Sequence, residues 1–280
     1  MKAQIPGLSV FVERVVIVGS FLLAFITPCT AAQVHDSSPG ELDLWLDGGL
    51  TAGGVALVSG AVAVRRGQDP LTAEDISLLD PAQINGFDGS ATAQWSTTAA
   101  AVSNALVLTL MAAPLGLAIA TPGSRKSWTV VAMYGEVFLV GNGLVELLKG
   151  VTNRARPFVY NADPDIPDAA RLEVKARRAF PSGHTANAFA AAVFLSSVYA
   201  KLRSGSSATK WMWAGSLTLA ATTGYMRYHG GKHYPTDIIS GAIIGSLVGW
   251  GVPKLHEVTG VNLTIAPSGG GSAIGLMLRH

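Results

Sequence analysis

Charge is scarce in this chain of 280 residues. Lys and Arg number 20 and Asp and Glu 18, so 14% of residues are charged against 49% hydrophobic. A soluble globular domain averages about 25% charged residues. The shortage, with a net charge of only +2, rules out a disordered chain, which needs low hydrophobicity and high net charge. It argues against a nucleic-acid binder as well, because no basic run stands apart from acids. Cysteine is nearly absent: Cys29 stands alone and has no internal partner for a disulfide. What survives is a helical protein, either embedded in a membrane or unusually apolar for a soluble one. The length fits one compact domain, or two at most.

The first 32 residues read as an export leader. Lys2 and Arg14 mark a charged beginning, Val15 to Ile26 is an apolar stretch, and Thr30, Ala31 and Ala32 are small residues suited to cleavage. An uncleaved anchor is the alternative, and either way the chain is exported. The expected organisation is a leader over 1–32, an extracytoplasmic segment over 33–100 with one weak helix, a catalytic helical domain over 101–256 and a tail over 257–280. Apolar blocks predict helices at Trp45 to Val64, Val102 to Ala120, Trp128 to Leu148, Thr185 to Leu202, Trp211 to Met226 and Thr236 to Trp250. In the tail, Val261, Leu263 and Ile265 alternate with Asn262 and Thr264 ahead of a Gly-rich turn, which predicts a β-hairpin. The expected fold class is therefore all-α, a bundle of about five to six helices with the site at one end, plus a short C-terminal β-hairpin.

Two loops, Thr121 to Ser127 and Lys201 to Lys210, are basic and free of acids, as cytoplasmic loops tend to be. Trp128, Trp211, Trp213 and Trp250 fall at helix ends on the same side, like an interfacial belt. These features favour helices that span the inner membrane and a site facing the periplasm; a soluble periplasmic bundle is the alternative. With a cleaved leader, both basic loops reach the cytoplasm only if Trp45 to Val64 does not cross.

Three polar clusters interrupt the apolar pattern, each at the end of a block: Lys149 to Pro157, Pro181 to His184, and Arg227 to Asp237. Helices that alternate up and down bring all three to one face. Lys149, Arg156 and Arg227 are cations that suit a phosphate; arginine grips two oxygens, lysine acts as a point charge. Ser182 and Gly183 open a helix whose backbone N–H groups and dipole can face an anion. His233 precedes Asp237 by four residues, close enough for the carboxylate to hold one ring nitrogen and leave the other nucleophilic. His184 is placed to protonate a leaving oxygen. The spacing of His229, His233 and Asp237 also mimics a zinc-ligand set, but Gly230, Gly231 and Pro235 interrupt the helix this would need. Glu146 can pair with Lys149 three residues on; Glu136 has no role in the pattern.

These clusters resemble the type 2 phosphatidic acid phosphatase family, which includes bacterial acid phosphatases and vanadium haloperoxidases. Its pattern is Lys-x6-Arg-Pro, then Pro-Ser-Gly-His, then Ser-Arg-x5-His-x3-Asp. The first two are complete here, and the third is complete except that Met226 replaces the leading serine. The likeness spans about Val102 to Leu255. It implies that His233 attacks phosphorus to form a phosphohistidine, with Asp237 in support and His184 as general acid and then base. Lys149, Arg156, Ser182, Gly183 and Arg227 would hold the phosphoryl oxygens, with no metal and no cofactor. The expected activity is hydrolysis of a phosphate monoester or pyrophosphate, of a lipid because the site adjoins apolar helices. The alternatives are a soluble, non-specific periplasmic acid phosphatase and a vanadate-dependent haloperoxidase. Between the first two clusters, the acidic insert Asp163 to Glu173 is expected to act as a lid or specificity loop.

Overall fold

The structure is a computed structural model that describes residues 42–121, 123–258, 261–268 and 271–278, of which 124, 258, 261–268 and 271–278 are described without their side chains. The expected leader over 1–32 lies outside the described residues. Nine α-helices are present among the described residues: α1 (Leu44–Arg66), α2 (Ala73–Ser77), α3 (Gly86–Gly89), α4 (Thr97–Ile119), α5 (Ser124–Thr152), α6 (Asp168–Arg171), α7 (Gly183–Leu202), α8 (Ala208–His229) and α9 (Pro235–Val258).

The expected fold class needs two corrections. The count of five to six helices is too low, because the polar loops contain three short helices that carry no apolar periodicity. Local capping makes two of them: Thr72 and Asp75 form a reciprocal capping box at α2, and the Asn85 side chain accepts from Asp88 N at α3. The β-hairpin is also no part of the fold class. The extended segments Val261–Ser268 and Gly271–Leu278 pair with one another in a two-stranded ladder that no third strand joins among the described residues. Such a ribbon is marginal on its own; the fold is helical.

The six long helices alternate in direction. The C-terminal ends of α1, α5 and α8 and the N-terminal ends of α4, α7 and α9 meet at one end of the bundle, where the three polar clusters lie. Helix α7 runs through the centre, and its buried residues, among them Ala188, Ala191, Phe194, Leu195 and Val198, point in every direction around it. A helix that is apolar all round belongs inside a bundle.

Four segments are long and apolar enough to cross a membrane: Leu44–Arg66, Thr97–Ile119, Arg125–Val159 and Pro235–Glu257. On α9, Ile239, Ile243, Leu247 and Trp250 form an exposed stripe at helical spacing, a surface that water does not favour and lipid does. These features support a membrane protein. The first block is among the four, so neither its length nor its apolarity keeps it out of the bilayer. It also packs parallel to α5, with Gly54 against Leu139, Gly143 against Leu57 and Gly150 against Val64.

What fixes α9 against α7 is backbone proximity. A Cβ on Gly241, Gly245 or Gly249 would lie 2.5, 2.1 or 2.4 Å from the carbonyl oxygens of Ser182, Ala186 and Ala190 respectively. Small residues spaced four apart allow this approach, as in membrane helix pairs. The contact also sets the site, since Ser182 N donates to the carbonyl of Asp237 at 2.9 Å. Gly245→Val is therefore expected to force the helices apart at a cost of about 1–3 kcal/mol, read as a drop of several degrees in thermal midpoint. Gly251→Ala, where a Cβ meets nothing within 4 Å, should leave the midpoint unchanged or slightly higher.

Candidate active site

Helix α5 delivers Lys149 in its last turn and ends at Asn153, which adopts the left-handed conformation (φ 46°), one that asparagine tolerates as a C-terminal cap. Glu146 accepts from Lys149 and, at 2.7 Å, from Arg178, so the lysine is held from below by a shared carboxylate. The Lys149 ammonium reaches the start of α7. A Cβ on Gly183 would lie 2.8 Å from Lys149 Nζ, and only glycine leaves room for the cation at that helix N-terminus. Ser182 is the N-cap of α7, accepting from Thr185 N and bonding Thr185 Oγ1 at 2.9 Å.

His184 projects from the first turn of α7, and its Nε2 hydrogen-bonds Asn104 Oδ1 of α4 at 2.7 Å. Arg227 lies in the last turn of α8, is only 6% exposed, and donates from Nη1 to Ser103 Oγ at 3.2 Å. His233 is 1% exposed, and its Nδ1 donates to the Ala179 carbonyl at 2.7 Å. That bond leaves Nε2 with its lone pair.

Asp237 does not take the role of direct acceptor that spacing suggested. Its Oδ2 is 3.5 Å from His233 Nδ1 and accepts instead from Tyr234 N at 2.9 Å, while Oδ1 accepts from Arg154 Nη1 at 2.7 Å. The carboxylate caps α9 and anchors an arginine, and so positions His233 through the backbone. Arg154 also bridges to Asp88 Oδ2 at 2.8 Å and stacks on the Tyr234 ring at 3.9 Å. Asp88, fully buried, accepts in turn from the backbone and hydroxyl of Thr236. Burial pushes the Asp88 carboxyl up, but hydrogen bonds from Arg154, Thr236 and Asn85 outweigh it and hold the group below its usual range.

The structure thus adds Asp88, Arg154, Asn104, Ala179 and Lys232 to the residues expected. Arg154 lies inside the first cluster, but nothing in its spacing distinguishes it from a solvated charge. Asp88 is one of five acids in an irregular linker. The Ala179 contribution is a backbone carbonyl, for which side-chain chemistry gives no signal. Lys232 lies over the rings of Trp95 and Phe158, at 4.1 and 4.6 Å, and burial and Arg156 lower it to about 8.

The electrostatics are those of a dense positive cluster. Burial, then Arg156, Arg227, Lys149 and His184, hold the His233 imidazole well below its ordinary value. Burial, then Arg227, Lys149 and Arg156, lower His184 to about 3. Lys149, Arg156 and Arg227 therefore all act on both histidines, which brings together every predicted cation and imidazole. The Nε atoms of Arg156 and Arg227 are buried without a hydrogen-bond partner, a condition that costs about 1–3 kcal/mol per group unless something accepts. A tetrahedral oxyanion supplies the acceptors and the negative charge together. His229, which pairs with Gln94 at 3.0 Å, joins no group that could hold a metal among the described residues; the one such group is Asp47, Glu136 and His256.

The fold and the site define a helical-bundle protein with clustered cations and two histidines at one end. Residues 130–259 match the family model of the PAP2 superfamily. It is 36% identical over 107 residues to the lipid A 4'-phosphatase of Bacteroides thetaiotaomicron, a match that covers 37% of this chain and 43% of that protein. It is 32% identical over 128 residues to the lipid A 1-phosphatase of Porphyromonas gingivalis, covering 45% and 24% of the two chains. With the decaprenylphosphoryl-5-phosphoribose phosphatase of Mycolicibacterium smegmatis it shares 33% identity over 124 residues, 44% of this chain and 57% of that one. The matches thus span less than two thirds of these relatives. Among solved structures, the transmembrane PAP2-type phosphatidylglycerolphosphate phosphatase of Bacillus subtilis is similar at 21% identity and a TM-score of 0.47, covering 75% of this chain and 96% of that one.

Both histidines bind protons less readily here than in an unfolded chain, whose imidazoles titrate near 6.5. The stability that depends on their neutrality is complete above about pH 6.5 and is lost as pH falls below it. Thermal melts should therefore show a midpoint that declines by several degrees from pH 7 to pH 5. Millimolar inorganic phosphate should shrink that decline, because a bound anion raises both imidazoles.

Proposed function

We propose that this protein is a metal-independent phosphatase that hydrolyses the phosphate monoester or pyrophosphate of a membrane lipid through a phosphohistidine. The observation that carries this reading is the pair of partnerless guanidinium N–H groups beside an imidazole whose Nε2 is unprotonated. In the first step His233 Nε2 attacks phosphorus, the P–O ester bond breaks, and His184 gives its proton to the leaving oxygen. In the second, His184 takes a proton from water, the water oxygen bonds phosphorus, and the P–N bond breaks to release phosphate. Bound phosphate charge raises His184 from its depressed ligand-free state, so the acid is loaded when substrate arrives. Lys149, Arg156, Arg227 and the N-terminus of α7 stabilise the charge on the transferred group, which is most of what phosphoryl transfer requires.

A lipid substrate is supported by the names of the relatives, by the exposed apolar faces of α4 and α9, and by Val151 and Phe87, which are exposed near the pocket end. The same exposure speaks against the soluble periplasmic alternative. An active site that faces the periplasm, in an inner-membrane protein, is supported by the two basic loops at the opposite end of the bundle. The insert Asp163 to Glu173 borders a cavity of about 620 Å³ shared with Ile76, Leu79, Val159 and Tyr160. Arg171 pins it from within, donating to the carbonyls of Ile166 and Asn161. This supports its reading as a specificity loop.

His233→Ala is expected to lower phosphate release from a diacylglycerol phosphate in detergent by a thousandfold or more, on the order seen when a covalent nucleophile is lost. EDTA should leave the initial rate of wild type unchanged; loss of rate on chelation would overturn the mechanism. Deleting 163–173 should change the ratio of lipid to p-nitrophenyl phosphate turnover by at least about threefold. Equal losses on both substrates would make the insert merely structural.

A further inference from the structure

The far end of the bundle holds a second polar group that phosphate chemistry does not use. Asp47 stands in the first turn of α1, Glu136 in the middle of α5 and His256 in the last turn of α9, and one ligand atom from each lies within 4.8 Å of the others. Glu136 precedes Lys149 by thirteen residues, which puts it roughly 20 Å along the helix from the phosphate pocket. Carboxylates and imidazoles inside a membrane bundle are expensive, and such a residue calls for a partner.

The contacts define what the partner is. His256 Nδ1 donates to the Val252 carbonyl at 2.9 Å, and its Nε2 faces Asp47 Oδ1 at 3.2 Å and Glu136 Oε2 at 3.3 Å. Donation from Nδ1 to a backbone carbonyl is how proteins orient a metal-binding imidazole. Glu136 is 6% exposed, and Oε2 is buried without a hydrogen-bond partner. Two carboxylate oxygens and one imidazole nitrogen, all electron-pair donors, thus converge on a single point. Ligands bound at about 2.0–2.2 Å to a tetrahedral ion lie about 3.3–3.5 Å from one another, close to the two separations from His256 Nε2. Imidazole with carboxylates suits zinc better than magnesium or calcium, which prefer oxygen alone.

The geometry points to a divalent transition-metal site, zinc by its donor set, at Asp47, Glu136 and His256, which ties α1 to α5 and α9 at the end away from the phosphate pocket. A bound ion neutralises the two carboxylates and fastens the N-terminal helix to the catalytic bundle. Asp47 is the most accessible of the three, with a quarter of its side chain exposed, and gives the ion its route in.

The test uses the full chain in detergent, stripped with EDTA and dialysed against zinc or magnesium. Metal analysis should find about one zinc per chain, with a rise of several degrees in thermal midpoint that EDTA reverses and magnesium does not reproduce. Asp47→Asn and Glu136→Gln should each lose the bound zinc and the zinc-dependent rise, while phosphate release by the metal-free protein stays at the wild-type rate. Cobalt in place of zinc should give visible absorption bands in wild type alone. Wild type that retains no zinc, or an equal shift with magnesium, would overturn the site without touching the phosphatase reading, and so would Asp47→Asn that keeps the metal.

Discussion

Four positive side chains, Lys149, Arg156, Arg227 and Lys232, crowd one end of an otherwise apolar bundle, and their mutual repulsion is the constraint on which the site depends. Brought together in partly desolvated surroundings they raise the free energy of the fold; burial first, and then these charges, depress the affinity of Lys232 and both histidines for protons. The compensation is split. Glu146 neutralises part of the charge by holding Lys149 and Arg178. Beyond that, the buried Nε atoms of Arg156 and Arg227 have no hydrogen-bond partner. On the proposed reading a bound phosphate relieves that repulsion, and burial with the same field keeps His233 neutral.

Holding the cations close needs a frame that does not move. Arg154 provides it by joining Asp88 from the linker to Asp237 on α9 while stacking on Tyr234. Through that link, the start of α9 is tied to the loop after α5 and to the short helix α3. The close approach of α9 to α7 through Gly241, Gly245 and Gly249 fixes the other side. His233 lies between these two constraints and has little freedom to turn its ring away from the pocket.

The cations and histidines were legible in the sequence because each must occur at a fixed offset within a short cluster: Lys149 before Arg156, Ser182 before His184, Arg227 before His233. The long helices were legible from their apolar runs. The short helices escaped because they are too brief to show periodicity, and two of them rest on single caps, Thr72 and Asn85. The hydrogen-bond partner of His233 was misassigned, since a helical offset of four suggests that Asp237 reaches the ring, whereas the Ala179 carbonyl arrives from a loop more than fifty residues away in sequence. Asp88 and Asn104 were hidden for the same reason: their partners, Arg154 and His184, are distant in the chain, and nothing local marks either residue. Glu136 had no assignable role until α1 and α9 placed Asp47 and His256 beside it.

The central claim concerns where a tetrahedral anion binds and what it faces. A structure of the detergent-solubilised protein with orthovanadate tests it directly. The account predicts vanadium within bonding distance of His233 Nε2, its oxygens held by Arg156, Arg227, Lys149 and the backbone at Gly183, and the Nε atoms of both arginines newly paired. Vanadate bound elsewhere, or a His233 ring whose Nε2 points away from the bound anion, would contradict it.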